Sequence, residues 1–435
     1  MVKILHLSDI HLGSGLSYGR LNPETGLNTR LEDFIAALGQ CIDRALAEPV
    51  DGVLFAGDAF PDATPPPFIQ QALAQQFCRL SAAQIPTVLL VGNHDQHAQG
   101  QGGTSLSIYR TLGVPGVVVG DRLETHRIET RRGSLQVVTL PWLTRSTLLT
   151  RPDTEGLSMA QVHGLLLNRL EVALEAEIRG LNPQIPTVLL AHAMVDRATY
   201  GAERFLAASR GFTIPMALLA RPCFDYVALG HVHRYQVLCQ QPLMIYPGSI
   251  ERVDFSEEKE EKGYLLVEVE PGQAQAEFCP LPVRPFKTLE VDLTAATDPQ
   301  AAFLAAISAA NVRAAVVRCF YHLRPEQRAD LDLVAIAVAL QEAHSYSLQA
   351  RLPGPSRDGR WSDLDSDRDA DPITALQAYL ANRQDLAPLA EAMLKAAKML
   401  IEPEKDREIF KDNLDLTTTC PPLVAADDAE QLRLL

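Results

Sequence analysis

The feature that most constrains this chain is a recurrence: short apolar runs that stop at a residue able to ligate a metal. The run ending at Leu7 stops at Asp9-Ile10-His11, and Gly52–Ala56 stops at Gly57-Asp58. Thr87–Val91 stops at Gly92-Asn93-His94-Asp95, Thr187–Ala191 at His192, and Tyr226–Leu229 at Gly230-His231-Val232-His233. Apolar runs this short, bounded by turn residues, read as buried strands. Between the first three lie stretches of helical period. One begins at about Asn28 or Thr29 and carries Leu31, Phe34, Ile35, Leu38, Ile42 and Leu46; another follows Pro65-Pro66-Pro67 and runs from Phe68 to about Ala83. Strand, helix, strand, helix, strand predicts an α/β fold with a parallel sheet and right-handed crossovers. Open sheets of this kind bind ligands outside the carboxyl ends of their strands. Asp9, His11, Asp58, Asn93, His192, His231 and His233 should therefore meet on one rim.

Taken singly, each residue has an ordinary reading. Asp9 could cap a helix, Asn93 could sit in a turn, His192 could be a satisfied core histidine, and a lone His-x-His is weak evidence. Together they place oxygen and imidazole donors in a mixture suited to Mn²⁺, Fe²⁺ or Zn²⁺ rather than Ca²⁺ or Mg²⁺ alone. Seven donors are too many for one ion and suit two ions sharing a bridging carboxylate. Such a pair, roughly 3.5–4 Å apart, is a clamp for phosphate esters. His6 lies among apolar neighbours on the first strand and reads as structural. His97 follows on a Gln/Gly-rich loop, and His126, His163, His322 and His344 lie off the rim.

A chain of 435 residues exceeds one typical core, so two or more domains are expected. Further strands are predicted at Gly116–Gly120 and Leu135–Leu140, and a long amphipathic helix from about Ser158 to Arg179. Leu243–Tyr246 and Tyr264–Val269 are expected in a second sheet of antiparallel character. Near Pro282–Pro285 the pattern resets into a compact α+β unit. Its strands fall at Leu289–Leu293, Val312–Phe320 and Tyr346–Leu352, and its helices at Pro299–Ala310 and Gln327–Ala343. Residues 354–371 read as an acidic linker. The run Asp363–Asp369 lacks the glycine and terminal glutamate of an EF-hand calcium loop. Helices at Pro372–Ala381 and Leu386–Ile401 follow, and the last thirty residues read as weakly ordered. The expected domains are thus 1–285, 286–353, the linker 354–371 and a helical region 372–435.

Seven scattered cysteines, never spaced Cys-x-x-Cys, point to reduced thiols in a cytosol and away from a zinc-thiolate site. No apolar run reaches the ~18 residues of a membrane span. The N-terminus lacks a signal peptide's layout, so a cytoplasmic protein without a membrane partner is expected. A net charge of −15 counts against a free-standing non-specific nucleic-acid binder, unless a basic surface is local or belongs to a partner.

Asp9-x-His11, Gly57-Asp58, Gly92-Asn93-His94-Asp95, His192 and Gly230-His231-x-His233, in this order, resemble the calcineurin-like metallophosphoesterase signature. The surroundings narrow the likeness. His6-Leu7-Ser8-Asp9-Ile10-His11-Leu12-Gly13, Tyr246-Pro247-Gly248-Ser249-Ile250-Glu251-Arg252-Val253-Asp254-Phe255 and Glu260-Glu261-Lys262-Gly263-Tyr264 are similar to the nuclease subunits of bacterial SbcCD-type complexes. The likeness covers roughly residues 1–285. It implies a four-layer α/β/β/α sandwich, followed by a small α+β capping domain and C-terminal helices. It implies two divalent ions, most readily Mn²⁺. Asp9, His11, Asp58 and His233 would hold one; Asp58 (bridging), Asn93, His192 and His231 would hold the other. His94 would contact the scissile phosphate, with Asp95 orienting it. Some relatives carry a second non-ligand histidine where this chain has Pro61. The resemblance further implies 3′→5′ exonuclease action on duplex DNA and endonuclease action on single strands or hairpins. The implied partners are DNA, an SbcC-type coiled-coil ATPase, and a second copy of the chain within a heterotetramer.

The alternative within the same chemistry is a phosphoesterase for a small phosphodiester or phosphomonoester, although such relatives usually lack anything like residues 286–435. A phosphoprotein phosphatase fits less well, since Asp62 is followed by Ala63-Thr64 and not Arg-Gly. A scaffold with a dead site conflicts with the complete ligand set. Arg20, Arg30, Arg197, Arg204, Arg210, Arg234 and Arg252 flank the metal motifs and form either a basic rim or ordinary surface. The stripe Phe68, Leu73, Phe77, Leu80 serves either a second copy or its own sheet. The stripe Leu386, Leu389, Ala390, Met393, Ala397, Leu400, with Asp385 as N-cap, docks on the ATPase coiled coil or folds back on the cap.

Overall fold

Strands β1 (Val2–Leu7), β2 (Gly52–Phe55), β3 (Thr87–Leu90) and β4 (Val117–Gly120) lie side by side in parallel. Their side chains alternate between two apolar environments, which is why they read as continuous apolar runs. Leu5, Leu7, Val53, Phe55 and Leu89 face two helices, α1 (Thr29–Ala47) and α2 (Pro67–Ala82). Ile4, Leu54, Val88 and Leu90 face the opposite way, into the middle of the molecule. The Asn28 side chain caps α1 by accepting from the Arg30 amide.

A second sheet closes over that middle layer. It contains β5 (Glu124–Thr130), β6 (Gly133–Leu140), β7 (Thr187–His192), β10 (Tyr226–Gly230), β11 (Gln236–Gln240) and β12 (Leu243–Tyr246). Val188, Leu190, Tyr226, Ala228 and Ile245 meet the first sheet's inner face. Leu189, Val227, Leu229 and Met244 pack outward with Leu166, Leu170 and Leu174 of the helix Met159–Arg179. The layers are α/β/β/α.

Leu243–Tyr246 and Tyr264–Val269 do not share a sheet as expected. β12 runs parallel to β10, whereas β13 (Gly263–Glu270) returns to the first sheet antiparallel to β1, with β14 (Gln273–Pro280) outside it. The two sheet orders are β14-β13-β1-β2-β3-β4 and β11-β12-β10-β7-β6-β5. Between β7 and β10 lies a two-strand ribbon of β8 (Met194–Val195) and β9 (Thr213–Ile214).

Residues 286–351 alternate strand and helix: β15 (Phe286–Asp292), β16 (Val316–His322) and β17 (Ser345–Arg351) are parallel, with helices Pro299–Ala309 and Leu333–Ala339. The single helix expected over 327–343 is broken. Asp332 turns its carboxylate onto the Val334 and Ala335 amides and starts a fresh helix after the 3₁₀ turn Pro325–Asp330. This small unit docks through Phe286 and Val316 against Phe255 and Tyr18. Arg284 on Asp33 and His344 on Thr29 complete the junction.

This computed structural model of the protein describes residues 1–48, 50–97, 103–144, 156–201, 212–351, 372–381 and 389–401. The chain divides into two units, Met1–Pro353 and Gly354–Leu435. The second contains the helices Pro372–Ala381 and Ala390–Ile401. The Asp363–Asp369 run, the Asp385 cap, Leu386, Arg204, Arg210 and residues 402–435 lie outside the described residues.

Candidate metal centre

At the carboxyl ends of β1 and β2 the backbone turns abruptly. Asp9, His11 and Asp58 have φ of 50°, 46° and 60°, and His231, at the end of β10, has 108°. Non-glycine residues adopt such angles at a cost of roughly 1–3 kcal/mol each and keep them only where the surroundings insist. Here the two loops are zipped together: Asp9 N donates to Gly57 O, His11 N to Asp58 O and Leu12 N to Ala59 O, at 3.0, 3.0 and 2.9 Å. Close approach also explains the glycines before Asp58 and Asn93. A Cβ on Gly92 would lie 2.1 Å from Asp58 Oδ1, and one on Gly57, whose φ is 98°, 2.4 Å from His192 Nδ1.

All seven residues expected on the rim converge there. Ligand-type atoms of Asp9, His11 and His233 lie within 4.8 Å of one another, as do those of Asp58, His192 and His231, and those of His11, Asp58 and His94. Asn93 Oδ1 lies 3.0 Å from His192 Nε2 and 2.9 Å from His231 Nδ1. Asp58 stands between the halves, its Oδ2 3.6 Å from His11 Nε2 and 3.4 Å from His192 Nε2. Outer contacts set the tautomers. His192 Nδ1–H donates to Ala56 O at 2.7 Å and His233 Nδ1–H to Glu257 Oε1 at 2.6 Å, so both Nε2 lone pairs face inward. His233 Nε2 lies 3.0 Å from His11 Nε2. His231 Nε2 is buried without a hydrogen-bond partner among the described residues.

The field of the site asks for cations. Burial lowers His192 and His233, but Asp58 beside the first and Glu257 beside the second outweigh it and push each up to about 9. Positive charge is thus favoured on both sides of Asp58 despite nearly complete burial. Asp58 itself is pushed up by burial, yet His192, His94 and His11 together hold it well below the usual carboxylate range. A set of carboxylate, amide and imidazole donors facing inward, with charge demand at two points, fits a pair of divalent ions.

His94 lies at the edge of this cluster, its ring 4.9 Å from that of His11. Its Nδ1–H donates to Pro61 O at 2.7 Å, and its amide donates to Asp58 Oδ1 at 2.8 Å. Asp95, expected behind His94, is used elsewhere. Its carboxylate accepts from the Asp58, Ala59 and Gly92 amides at 2.9, 3.1 and 2.9 Å and from Ser105 Oγ. It therefore fixes the loops that carry Asp58 and Asn93. Burial, with Asp58 adding to it, pushes Asp95 up to about 6.

Two neighbours carry no motif in the sequence: Trp142, whose ring lies 4.7 Å from that of His231, and Glu257, which pairs with both His233 and Lys262 of the Glu260–Tyr264 motif. Glu257 sits in an acidic run with no periodicity to single it out, and an isolated tryptophan carries no motif. His6 is structural, bonded to Tyr226 and Leu229 O. His97 is exposed and joins none of the described clusters. Arg30 and Arg252 are not rim residues. Arg30 is fully buried against Asp33 and Arg252 O, and Arg252 donates to the Glu257, Glu260 and Arg284 carbonyls. Arg20, Arg197 and Arg234 are exposed.

Residues 2–235, which carry all seven of these converging residues, match the family model described as calcineurin-like phosphoesterase. The chain belongs to that family. This calcineurin-like phosphoesterase is a metal-dependent hydrolase of phosphodiesters. It is 30% identical over 379 residues to a Rhodobacter capsulatus protein named as a subunit of the nuclease SbcCD, covering 81% of this chain and 86% of that one. A protein of the same name from Staphylococcus epidermidis is 26% identical over 292 residues, covering 67% and 72%. Among solved structures, TT1561 of Thermus thermophilus is similar at a TM-score of 0.36 and 14% identity, covering 64% of this chain and 98% of that one.

Proposed function

We propose that this phosphoesterase is the nuclease subunit of an SbcCD-type DNA-processing complex. It would use two Mn²⁺ ions to act as a 3′→5′ exonuclease on duplex ends and an endonuclease on single strands and hairpins. The observation that carries the reading is the complete donor set around Asp58 with His94 beside it. Asp9, His11, Asp58 and His233 would hold one ion, and Asp58, Asn93, His192 and His231 the other. When bound, the pair supplies an activated nucleophile and neutralises charge on the phosphate. Pro61 O keeps the His94 proton on Nδ1 in the neutral ring; once the ring is protonated, Nε2–H faces the reacting group as a donor to a phosphoryl or leaving oxygen.

DNA as substrate is supported by the name and coverage of the Rhodobacter relative, not by overall charge. Exposed Arg20, Arg197 and Arg234 offer a small basic fringe, and an ATPase partner would supply further phosphate contacts. No described helix is long and apolar enough to cross a membrane; a cytoplasmic site of action is part of the proposal. So is pairing of two copies. The α2 stripe does not itself argue for it, because Leu73, Phe77 and Leu80 are spent on the chain's own core, with Phe68 left exposed.

The test is digestion of an end-labelled linear duplex and a hairpin with Mn²⁺, with and without the co-purified ATPase. Hydrolysis of bis-p-nitrophenyl phosphate with neither DNA cut in either arm would replace this reading with a small-substrate phosphoesterase.

A further inference from the structure

We propose that Glu257 is a positioning residue for the metal centre, fixing His233 as the Nδ1–H tautomer so that Nε2 points at the ion shared with His11 and Asp9. The inference rests on the two-metal reading above. Glu257 is 5% exposed and both of its oxygens are engaged. Oε1 accepts from His233 Nδ1 at 2.6 Å; Oε2 lies 2.7 Å from Lys262 Nζ and accepts from the Val253 amide at 3.1 Å and Ser249 Oγ at 3.4 Å. Lys262, 1% exposed, also donates to His233 O at 3.0 Å. The ligand is gripped at its ring by the glutamate and at its backbone by the glutamate's counter-ion.

Two neighbouring histidines are held differently. His192 and His94 lean on backbone carbonyls, Ala56 O and Pro61 O. A carboxylate behind an imidazole both locks the ring and raises the basicity of the far nitrogen more than a neutral carbonyl does. Burying that carboxylate is costly unless it is paired, and Lys262 provides the pairing. Of His192, His94 and His233, the last alone thus has its ring backed by a charged group.

The test uses the full chain. Mn²⁺ binding is followed by titration calorimetry and by the electron paramagnetic resonance of free Mn²⁺. Hydrolysis of bis-p-nitrophenyl phosphate is measured in parallel across Mn²⁺ concentrations. Glu257→Leu combined with Lys262→Met removes both buried charges together, so neither is left unpaired. Glu257→Gln keeps an acceptor for Nδ1–H. Thermal melts establish that each variant is folded. The double variant should retain one ion at wild-type affinity and bind the second about 10–100-fold more weakly, the usual loss when an outer partner of a ligand is removed. Its hydrolysis should recover as Mn²⁺ is raised, and Glu257→Gln should lose less. Two ions at wild-type affinity in the folded double variant, or equal weakening of both, overturns the positioning role. Wild-type protein that binds fewer than two ions sinks the two-metal reading instead.

Discussion

His94 is held from behind by a backbone carbonyl, so its replacement should leave the ion ligands where they are. His94→Ala is expected to keep both metals by elemental analysis while losing roughly 10²–10⁴-fold in hydrolysis, the usual worth of a positioned acid. Full activity, or loss of both metals, would end that assignment. Asp58 lies between the halves, so Asp58→Asn should weaken both ions, whereas His11→Ala should damage mainly one. Mn²⁺ titration separates the two cases. His6 makes a different prediction. Burial holds it down to about 3 in the folded chain, against 6.5 in the unfolded one. The unfolded state therefore takes up a proton first as pH falls. The stabilisation is present above about pH 6.5 and lost at up to roughly 1.4 kcal/mol per pH unit between there and pH 3. Urea melts of His6→Asn should show a shallower acid decline than wild type over pH 6.5–4; parallel declines would remove His6 as a cause. The convergence of the seven residues was legible because each follows an apolar run at a strand end. The work of Asp95 was not, because its partners are backbone amides and leave no trace in side-chain spacing.

At the level of elements, the buried strands announced themselves because both of their faces are apolar. In the two large sheets the strands missed in sequence were β5, β11 and β14, and all three are sheet edges; the two-residue strands β8 and β9 are too short to leave a pattern. An edge strand is half in water, so Glu124–Thr130 and Gln273–Pro280 read as polar connections. The cap helix was misjudged because Asp332 outcompetes helix continuation locally. Close packing of the β2 and β3 ends yields a sharp expectation. Gly92→Ala would drive a methyl into Asp58, so Mn²⁺ content should fall although no ligand has changed. Retention of both ions would mean that the loops yield more easily than the contact distance suggests. On the helix Ala390–Ile401, Met393 is 38% exposed, and Leu389 just before it is 56% exposed. Leu389→Glu with Met393→Glu should abolish capture of the ATPase while small-diester hydrolysis is unchanged. Normal capture would show that the helix is not the docking element.

For the whole molecule, sedimentation of the full chain at micromolar concentration checks the proposed pairing, and a monomer would remove it. A subtler consequence comes from the segment 249–262. Glu257 reaches inward to His233, while its neighbours reach outward: Glu258 accepts from the Thr288 amide at 3.1 Å, Phe255 meets Phe286 edge-to-face with ring centroids 4.9 Å apart, and Arg252 donates to Arg284 O. One short stretch thus answers to both the ion site and residues 286–351. If the seating of that small unit sets how well Glu257 is placed, then by reciprocity a bound ion tightens that seating by the same free energy with which the seating tightens the ion. Mn²⁺ should then slow amide hydrogen exchange in β15 and β16, about 5–150-fold if the coupling has the usual size. Ionic strength or substitutions that loosen the Arg284–Asp33 contact should in turn show up as poorer Mn²⁺ retention, far from any ligand. The protein would carry its metal content as a gauge of its own shape.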